Sequence, residues 1–354
     1  MRRPIVQWSR LTQRRWALFR ANRRGWVSLW LFIALVTVSL LSPLIATERP
    51  WLVRVGAHWW CPVLRPVREV ELGGVFETEA DFRDPYVVQT LIRDRGGWIL
   101  WAPIPWSHDS IDIDCPTPAP SPPSRRHWLG TDDLGRDVVA RVLHGLRLSV
   151  AFGLVLTAIS SVVGILLGVW QGYSGGWVDL LFQRFMELWG AMPRLYILII
   201  ASSVLVPGFF TLLVILLLFS WMSLVGVVRA ETLRARNFEY VRAARALGVP
   251  GWRIALRHVL PNSLVAALTF LPFQLAESLT MLTALDFLGL GLPPGSPSLG
   301  ELLQQGKANL HAPWLGLTAF VALAVLFMTV VFVGEAVRDA LDPRKTMGVQ
   351  GGLS

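Results

Sequence analysis

Four short strings in this 354-residue chain hold residue types whose spacing could do chemistry. GYSGG at 172–176 fits G-x-S-x-G, the turn on which a serine nucleophile is presented to a base. An intramembrane serine hydrolase built on Ser174 needs a histidine within hydrogen-bond reach. The six histidines, His58, His108, His127, His144, His258 and His311, all fall outside the apolar runs, and none has a route to Ser174. GELLQQGKA at 300–308 imitates a phosphate-cradling loop, but five residues rather than four separate its glycines, and Ala308 stands where a hydroxyl would hold magnesium. No nucleotide, metal or other cofactor site is therefore expected on this chain. HDSIDID at 108–114 alternates carboxylates without the glycine and final glutamate of a calcium loop, and reads as a solvated acidic loop. In LPFQLAESLTMLTALDFLGLGL at 271–292, Gln274, Glu277 and Thr280 follow i, i+3, i+6 spacing on one broad side of a helix. A charge at the bilayer centre costs about 2.5–3.5 kcal/mol, so Glu277 must face protein or a wet cavity. That side is the candidate translocation path or interhelix network, and Asp286 is expected to meet interfacial water.

The elements that hold these strings are set by an apolar composition: 53% of residues are hydrophobic and 16% charged. Spans of roughly 20 apolar residues cross the hydrocarbon. About six are expected, at 25–46, 148–170, 191–206, 209–228, 264–288 and 313–334, with Pro207-Gly208 turning the third into the fourth as a hairpin. The fold class is thus an all-α polytopic membrane protein.

Basic residues near span ends stay on the cytoplasmic side. Arg2, Arg3, Arg10, Arg14, Arg15, Arg20, Arg23 and Arg24, with no acid among them, put the N-terminus inside. An even number of spans puts DPRK at 342–345 inside as well, together with the arginine-rich stretch 229–257. The formal charge of +9 is thereby explained by topology and anionic lipid, without nucleic acid.

The chain divides into a basic amphipathic N-terminus (1–24), a first span (25–46), an extracytoplasmic insert with an interfacial helix (47–146), a five-helix core (147–337) containing a polar loop at 231–262, and a C-terminal tail (338–354). In the insert, YVVQTLIRD and GGWILWAPI are expected to form short strands. Cys61 and Cys115 both lie there, where either a disulfide or two free thiols would be compatible with the compartment. The apolar face of 129–150 suggests a short amphipathic helix lying in the outer interface ahead of the second span, and 8–24 a similar one at the inner interface.

Within the polar loop, EYVRAARALG reads as a short helix ended by Gly248, Pro250-Gly251 as a turn, and WRIALRHVL as a second short helix stopping before Pro261. Such a basic, small-residue-rich helix-turn-helix offers either a handle for a cytoplasmic partner or a headgroup-binding loop. A bulky or charged residue at Gly248 is expected to clash with the turn or its docking surface.

This segment resembles the EAA loop of binding-protein-dependent ABC importer permeases. Ala243, Ala244, Gly248, Leu260 and Pro261 match its pattern, and Arg257, His258, Leu260, Pro261 and Asn262 match the RH-x-LPN ending of the peptide branch. Arg242 stands where the pattern has Glu, although Glu239 lies three residues upstream, and His258 stands where it has Ile. LGTDDLGRDVVARVLHG, GGWVDLLFQR, LDFLGLGLPPGSPSLGELL and GEAVRDALDPR resemble the dipeptide and oligopeptide permeases, and the large insert looks most like the Yej-type branch, associated with oligopeptides and microcin C-like antibiotics. The resemblance implies a type I importer fold in the bacterial inner membrane. It implies a homologous second permease, two ATPase subunits that bind ATP and magnesium, a periplasmic peptide-binding protein and a peptide substrate. It also implies coupling through Glu239, Arg242, Ala243, Ala244, Gly248 and Pro261. An exporter or channel, by contrast, would work without a binding protein.

Overall fold

The computed structural model describes residues 10–206 and 208–342; Arg2, Arg3, Pro207 and the tail beyond Asp342 lie outside the described residues. Helix α1 (Arg10–Ala21) leads into α2 (Arg23–Leu40), whose N-cap Asn22 accepts a hydrogen bond from the Gly25 amide at 3.2 Å. Phe19 of α1 is buried against Ala336 and Ala340, so the amphipathic N-terminal helix packs on the end of the last span. The first span stops earlier than its apolar run: Leu40 ends α2, and Ser42-Pro43 opens a separate turn, α3 (Ser42–Ile45).

The insert folds around a three-stranded antiparallel sheet with β1 (Leu52–Val55) between β2 (His58–Trp60) and β3 (Trp98–Leu100). Val53 stands opposite Trp60 on one side and Ile99 on the other. GGWILWAPI supplies the expected strand, but YVVQTLIRD does not. Residues Tyr86–Arg93 form a wide helix that buries Val87, Leu91 and Ile92 in the insert's core. Those positions share a helix face rather than alternating, and Pro85 at the start favours helix over strand. The two cysteines are free: Cys61 donates to the Trp51 carbonyl, and Cys115 lies 3.3 Å from the Ser121 hydroxyl.

The membrane part begins with α4 (Val138–Ser174), capped by Asp137, whose carboxylate accepts from the Ala140 amide at 2.8 Å. At 1.5 Å per residue α4 is about 55 Å long, well beyond the ~30 Å of hydrocarbon. The expected interfacial helix is therefore the first turns of this one span, not a separate element. Then come α5 (Gly176–Gly190), α6 (Arg194–Val204), α7 (Phe209–Ser220), α8 (Met222–Ala235), α9 (Glu239–Ala246), α10 (Gly251–Ile254), α11 (Leu260–Phe287), α12 (Leu299–Ala308) and α13 (Pro313–Leu341).

Among the described residues five helical stretches are long and apolar enough to cross a membrane: Arg23–Leu40, Val138–Ser174, Phe209–Ala235, Gly251–Phe287 and Pro313–Leu341. The expected third span, 191–206, is not one of them. Its helix α6 has 11 residues and follows α5 across a break at Ala191–Pro193, where Pro193 takes extended backbone angles. A Pro cannot supply the amide that would carry α5 onward.

Helix α4 is the axis of the bundle, packed on α8, α11, α2 and α7. The face it buries is a column of small residues: Gly145, Ser149, Gly153, Thr157, Ser161, Gly164, Gly168 and Gly172, all buried. At three- and four-residue steps they share one stripe, which lets helix backbones approach where lipid gives no hydrophobic drive for association. A Cβ on Gly168 would sit 2.8 Å from Val228 Cβ and 3.0 Å from the Val225 carbonyl.

Candidate functional site

The polar loop is a helical hairpin. Alanines at 243, 244 and 246 favour α9, and Gly248 ends it at φ +74°. The Val249 amide donates to the Ala244 carbonyl at 3.1 Å and the Gly248 amide to Arg245 at 3.0 Å, the paired bonds of a Schellman cap. Pro250 starts α10, but the second arm does not stop before Pro261. It runs through a wide π turn, Ala255–Val259, directly into α11, with Pro261 in the first turn, where an amide is dispensable. The hairpin is anchored by Val241, Ile254, Val259 and Ala235, all with no exposed surface, and by Asn262 Nδ2, which donates to the Tyr240 hydroxyl at 2.6 Å.

Its outer side is left open. Leu247 is 83% exposed and Trp252 64%, with Glu239, Arg242, Ala243, Gly248 and Pro261 also exposed and Ala244 half-buried. Among the described residues neither Glu239 nor Arg242 makes an ion pair, so the upstream glutamate does not neutralise the arginine. A Cβ on Gly248 would have nothing within 4 Å. The expected clash within the turn is absent, and a substitution there is strained by its positive φ alone.

The second candidate lies midway along the spans, and there the structure separates residues that the spacing had put together. Gln274 turns inward: its Nε2 donates to Ser160 Oγ at 2.8 Å, and its Oε1 accepts from Ser161 Oγ at 3.2 Å. Beside it Thr157 and Ser278 hydroxyls are 3.2 Å apart, so a buried hydroxyl seam joins α4 to α11. Glu277 and Thr280 instead lie on the open face of α11. Thr280 bonds back to the Ala276 carbonyl, and Glu277 Oε1 is 3.5 Å from Arg194 Nη1 at the start of α6. Gln274 therefore belongs to interhelix packing, whereas Glu277 faces outward with a cation that sequence reading did not single out.

The chain matches the family model described as binding-protein-dependent transport system inner membrane component over residues 164–347, a stretch that contains the hairpin and the α11 side of the hydroxyl seam. The chain belongs to the binding-protein-dependent ABC importer permeases. It is 57% identical over 339 residues to the inner membrane ABC transporter permease protein YejE of Escherichia coli K12, covering 96% of this chain and 99% of that one. It is 50% identical over 369 residues to the peptidoglycan transport system permease protein YejE of Agrobacterium fabrum, covering 97% and 96%. At 32% identity over 229 residues it matches the oligopeptide transport system permease protein OppC of Bacillus subtilis, covering 64% and 74%. It is a multi-pass inner-membrane component of a transporter with the type I importer fold.

The catalytic look-alikes have structural roles in this permease. Ser174 is an exposed residue at the end of α4, and GYSGG joins two helices rather than a strand to a helix. GELLQQGKA is helix α12, whose Gly306 packs on Gly316 of α13.

HDSIDID is only partly a solvated loop. Asp112 is buried and accepts from Arg126 Nε and His127 Nε2, both at 3.0 Å, while His127 Nδ1 lies 2.9 Å from the α4 cap Asp137. With a carboxylate at each ring nitrogen, the imidazolium form is favoured. Burial pulls the His127 pKa down, but the hydrogen bonds it donates to Asp137 and Asp112 outweigh it and the net shift is upward. Next to it Arg141, with no exposed surface, lies 3.4 Å from Asp132 and 3.1 Å from Glu301, and Arg136 lies 2.7 Å from Asp132. These buried pairs clamp the insert and the start of α4 to α12. Asp286, expected in interfacial water, is buried too: it accepts from Ser298 Oγ at 2.5 Å and the Leu292 amide at 2.8 Å, closing the α11–α12 loop. The alternation of acids and arginines in LGTDDLGRDVVAR was the available signal, but ion pairing to a residue more than 150 positions away leaves no local pattern.

Proposed function

We propose that the permease forms half of the translocation path of an ATP-driven importer for peptides, and that α9 and α10 are the coupling element through which separate ATPase subunits drive it. The observation that carries this reading is the hairpin: it is rigidly built into the membrane helices through α8 and α11, yet it presents Leu247 and Trp252 to solvent without a covering element among the described residues. In this reading Glu239, Arg242, Ala243, Ala244, Gly248 and Pro261 form or support the surface docked in the ATPase groove. ATP and magnesium are bound by those subunits and not by this chain. Closure of the two ATPase subunits moves the docked hairpins, tilts the cores outward-open and lets a periplasmic binding protein deliver its peptide; hydrolysis resets them.

The peptide class is supported by the relatives, whose names mention peptidoglycan and oligopeptide transport. The N- and C-termini and the hairpin face the cytoplasm, the interrupted α5–α6 pair supplying the sixth crossing that an even count needs; the insert faces the periplasm, and the second half of the path comes from a homologous permease. The open face of α11 with Glu277 and Thr280 lines that path, and Gln274 holds the wall behind it.

Co-purification in mild detergent tests the assembly: a second permease and ATPase subunits should accompany the wild-type chain, and a Leu247→Asp/Trp252→Asp chain should keep the permease partner while losing the ATPases. Retention of the ATPase subunits by that variant would refute docking through the hairpin.

A further inference from the structure

Arg194 and Glu277 form an ion pair in the middle of the membrane part. Its depth follows from its neighbours. Arg194 Cζ lies 5.9 Å from the ring of Phe219, while Gln274, one turn from Glu277, is bonded to Ser160 near the middle of α4 and to the Ser220 carbonyl at the α7–α8 junction. An interrupted helix meets the α7–α8 junction here. The α5–α6 break lies beside Trp189, which donates to the Leu218 carbonyl at 3.0 Å and stacks on Phe219, and α7 hands over to α8 at Trp221. Irregular backbone at membrane depth survives only where protein or a wet cavity satisfies it.

The pair is not sealed. The side chains remain 35% and 51% exposed, with the charged atoms 3.5 Å apart, so they are held more loosely than the buried Arg136–Asp132 pair at 2.7 Å. Two charges left open to hydrocarbon would be costly, and an open ionic pair at this depth belongs on a water-lined face. A loose pair of opposite charges is also the complement of a zwitterion.

We infer that Arg194 and Glu277 form an ionic subsite of the translocation path that exchanges its internal pair for the ionised ends of a peptide in transit. Arg194 takes the carboxylate as a planar donor, Glu277 takes the ammonium, and the internal pair re-forms once the peptide leaves. Each charge is then satisfied in the empty and the loaded path, which keeps binding weak enough for release. This inference rests on the peptide-importer reading above.

The test uses the complete complex in proteoliposomes with its binding protein, and trialanine with free ends as the probe. Glu277→Gln and Arg194→Gln should each lower uptake about ten- to a hundredfold, the range that loss of a charge-assisted hydrogen bond gives, in complexes whose assembly is confirmed by size exclusion. Where Arg194→Gln does not assemble, Arg194→Lys, which keeps the charge and loses the planar fork, takes its place. The exchanged variant Arg194→Glu/Glu277→Arg re-forms the pair and should restore thermal stability without restoring uptake. Uptake restored by the exchange would make the pair purely structural, and wild-type uptake in either single variant would remove the subsite. A separate readout is alkylation of Thr280→Cys by a water-soluble maleimide, which trialanine should slow; an inert thiol would contradict a wet face. A wild-type complex that takes up no peptide while still hydrolysing ATP with its binding protein would overturn the peptide reading itself, and this inference with it.

Discussion

Arg141 has no exposed surface, and its guanidinium is held between Asp132 and Glu301. Removing one partner of a buried pair leaves the other charges uncompensated, a loss of about 3–5 kcal/mol. Arg141→Ala should destabilise the purified protein by that amount in denaturant unfolding, and a change below about 0.5 kcal/mol, typical of surface positions, would show that the clamp is not structural. His127 makes a pH prediction. Its folded pKa is raised above the unfolded value of about 6.5, because two carboxylate hydrogen bonds outweigh burial. The stabilisation is therefore complete below about pH 6.5 and is lost as pH rises through the folded value. The melting temperature should fall across that alkaline-going window, and His127→Gln should flatten the fall; an unchanged profile in the variant would contradict the assignment. At this scale the sequence was only partly legible. Gly248 as a cap could be read from a helix former run followed by glycine, but the burial of Asp112, Asp132 and Asp286 could not. Each is satisfied by partners brought in by the fold, and a carboxylate looks the same in a string whether solvated or paired.

Two elements decide how motion could pass through the molecule. The hairpin α9–α10 is joined to α11 through the π turn at Ala255–Val259 without a loop, so displacement of the hairpin displaces a membrane-spanning helix. Ile254, with no exposed surface, fastens it from below. Ile254→Ala should cost about 2–5 kcal/mol locally. Its signature would be faster amide exchange over 239–259 with the spans still protected, whereas unchanged exchange would mean that the hairpin is held elsewhere. The small-residue column of α4 is the second element. Gly168→Leu drives a side chain into Val228 and the Val225 carbonyl and should cost about 1–3 kcal/mol of thermal stability through overpacking. A neutral result would show that α4 and α8 can separate freely. Apolar length located the spans but not their ends, since polar first turns such as those of α4 join a span only by packing against the insert. Pro193 was the visible sign of the broken third span, while the apolar run around it argued for a whole one.

The described residues form five membrane-length apolar helices and one interrupted span, a compact insert clamped to the α12 side, and a hairpin on the loop between α8 and α11. The membrane class was legible from composition, and the family from the strings around Gly248 and Pro261. In the proposed reading energy enters at the hairpin and the peptide passes along the face carrying Arg194, Glu277 and Thr280. The most direct test is peptide uptake into proteoliposomes holding the reconstituted complex, with ATP and the binding protein each supplied or withheld. The account predicts uptake only when both are present. Uptake that proceeds without either one would contradict it.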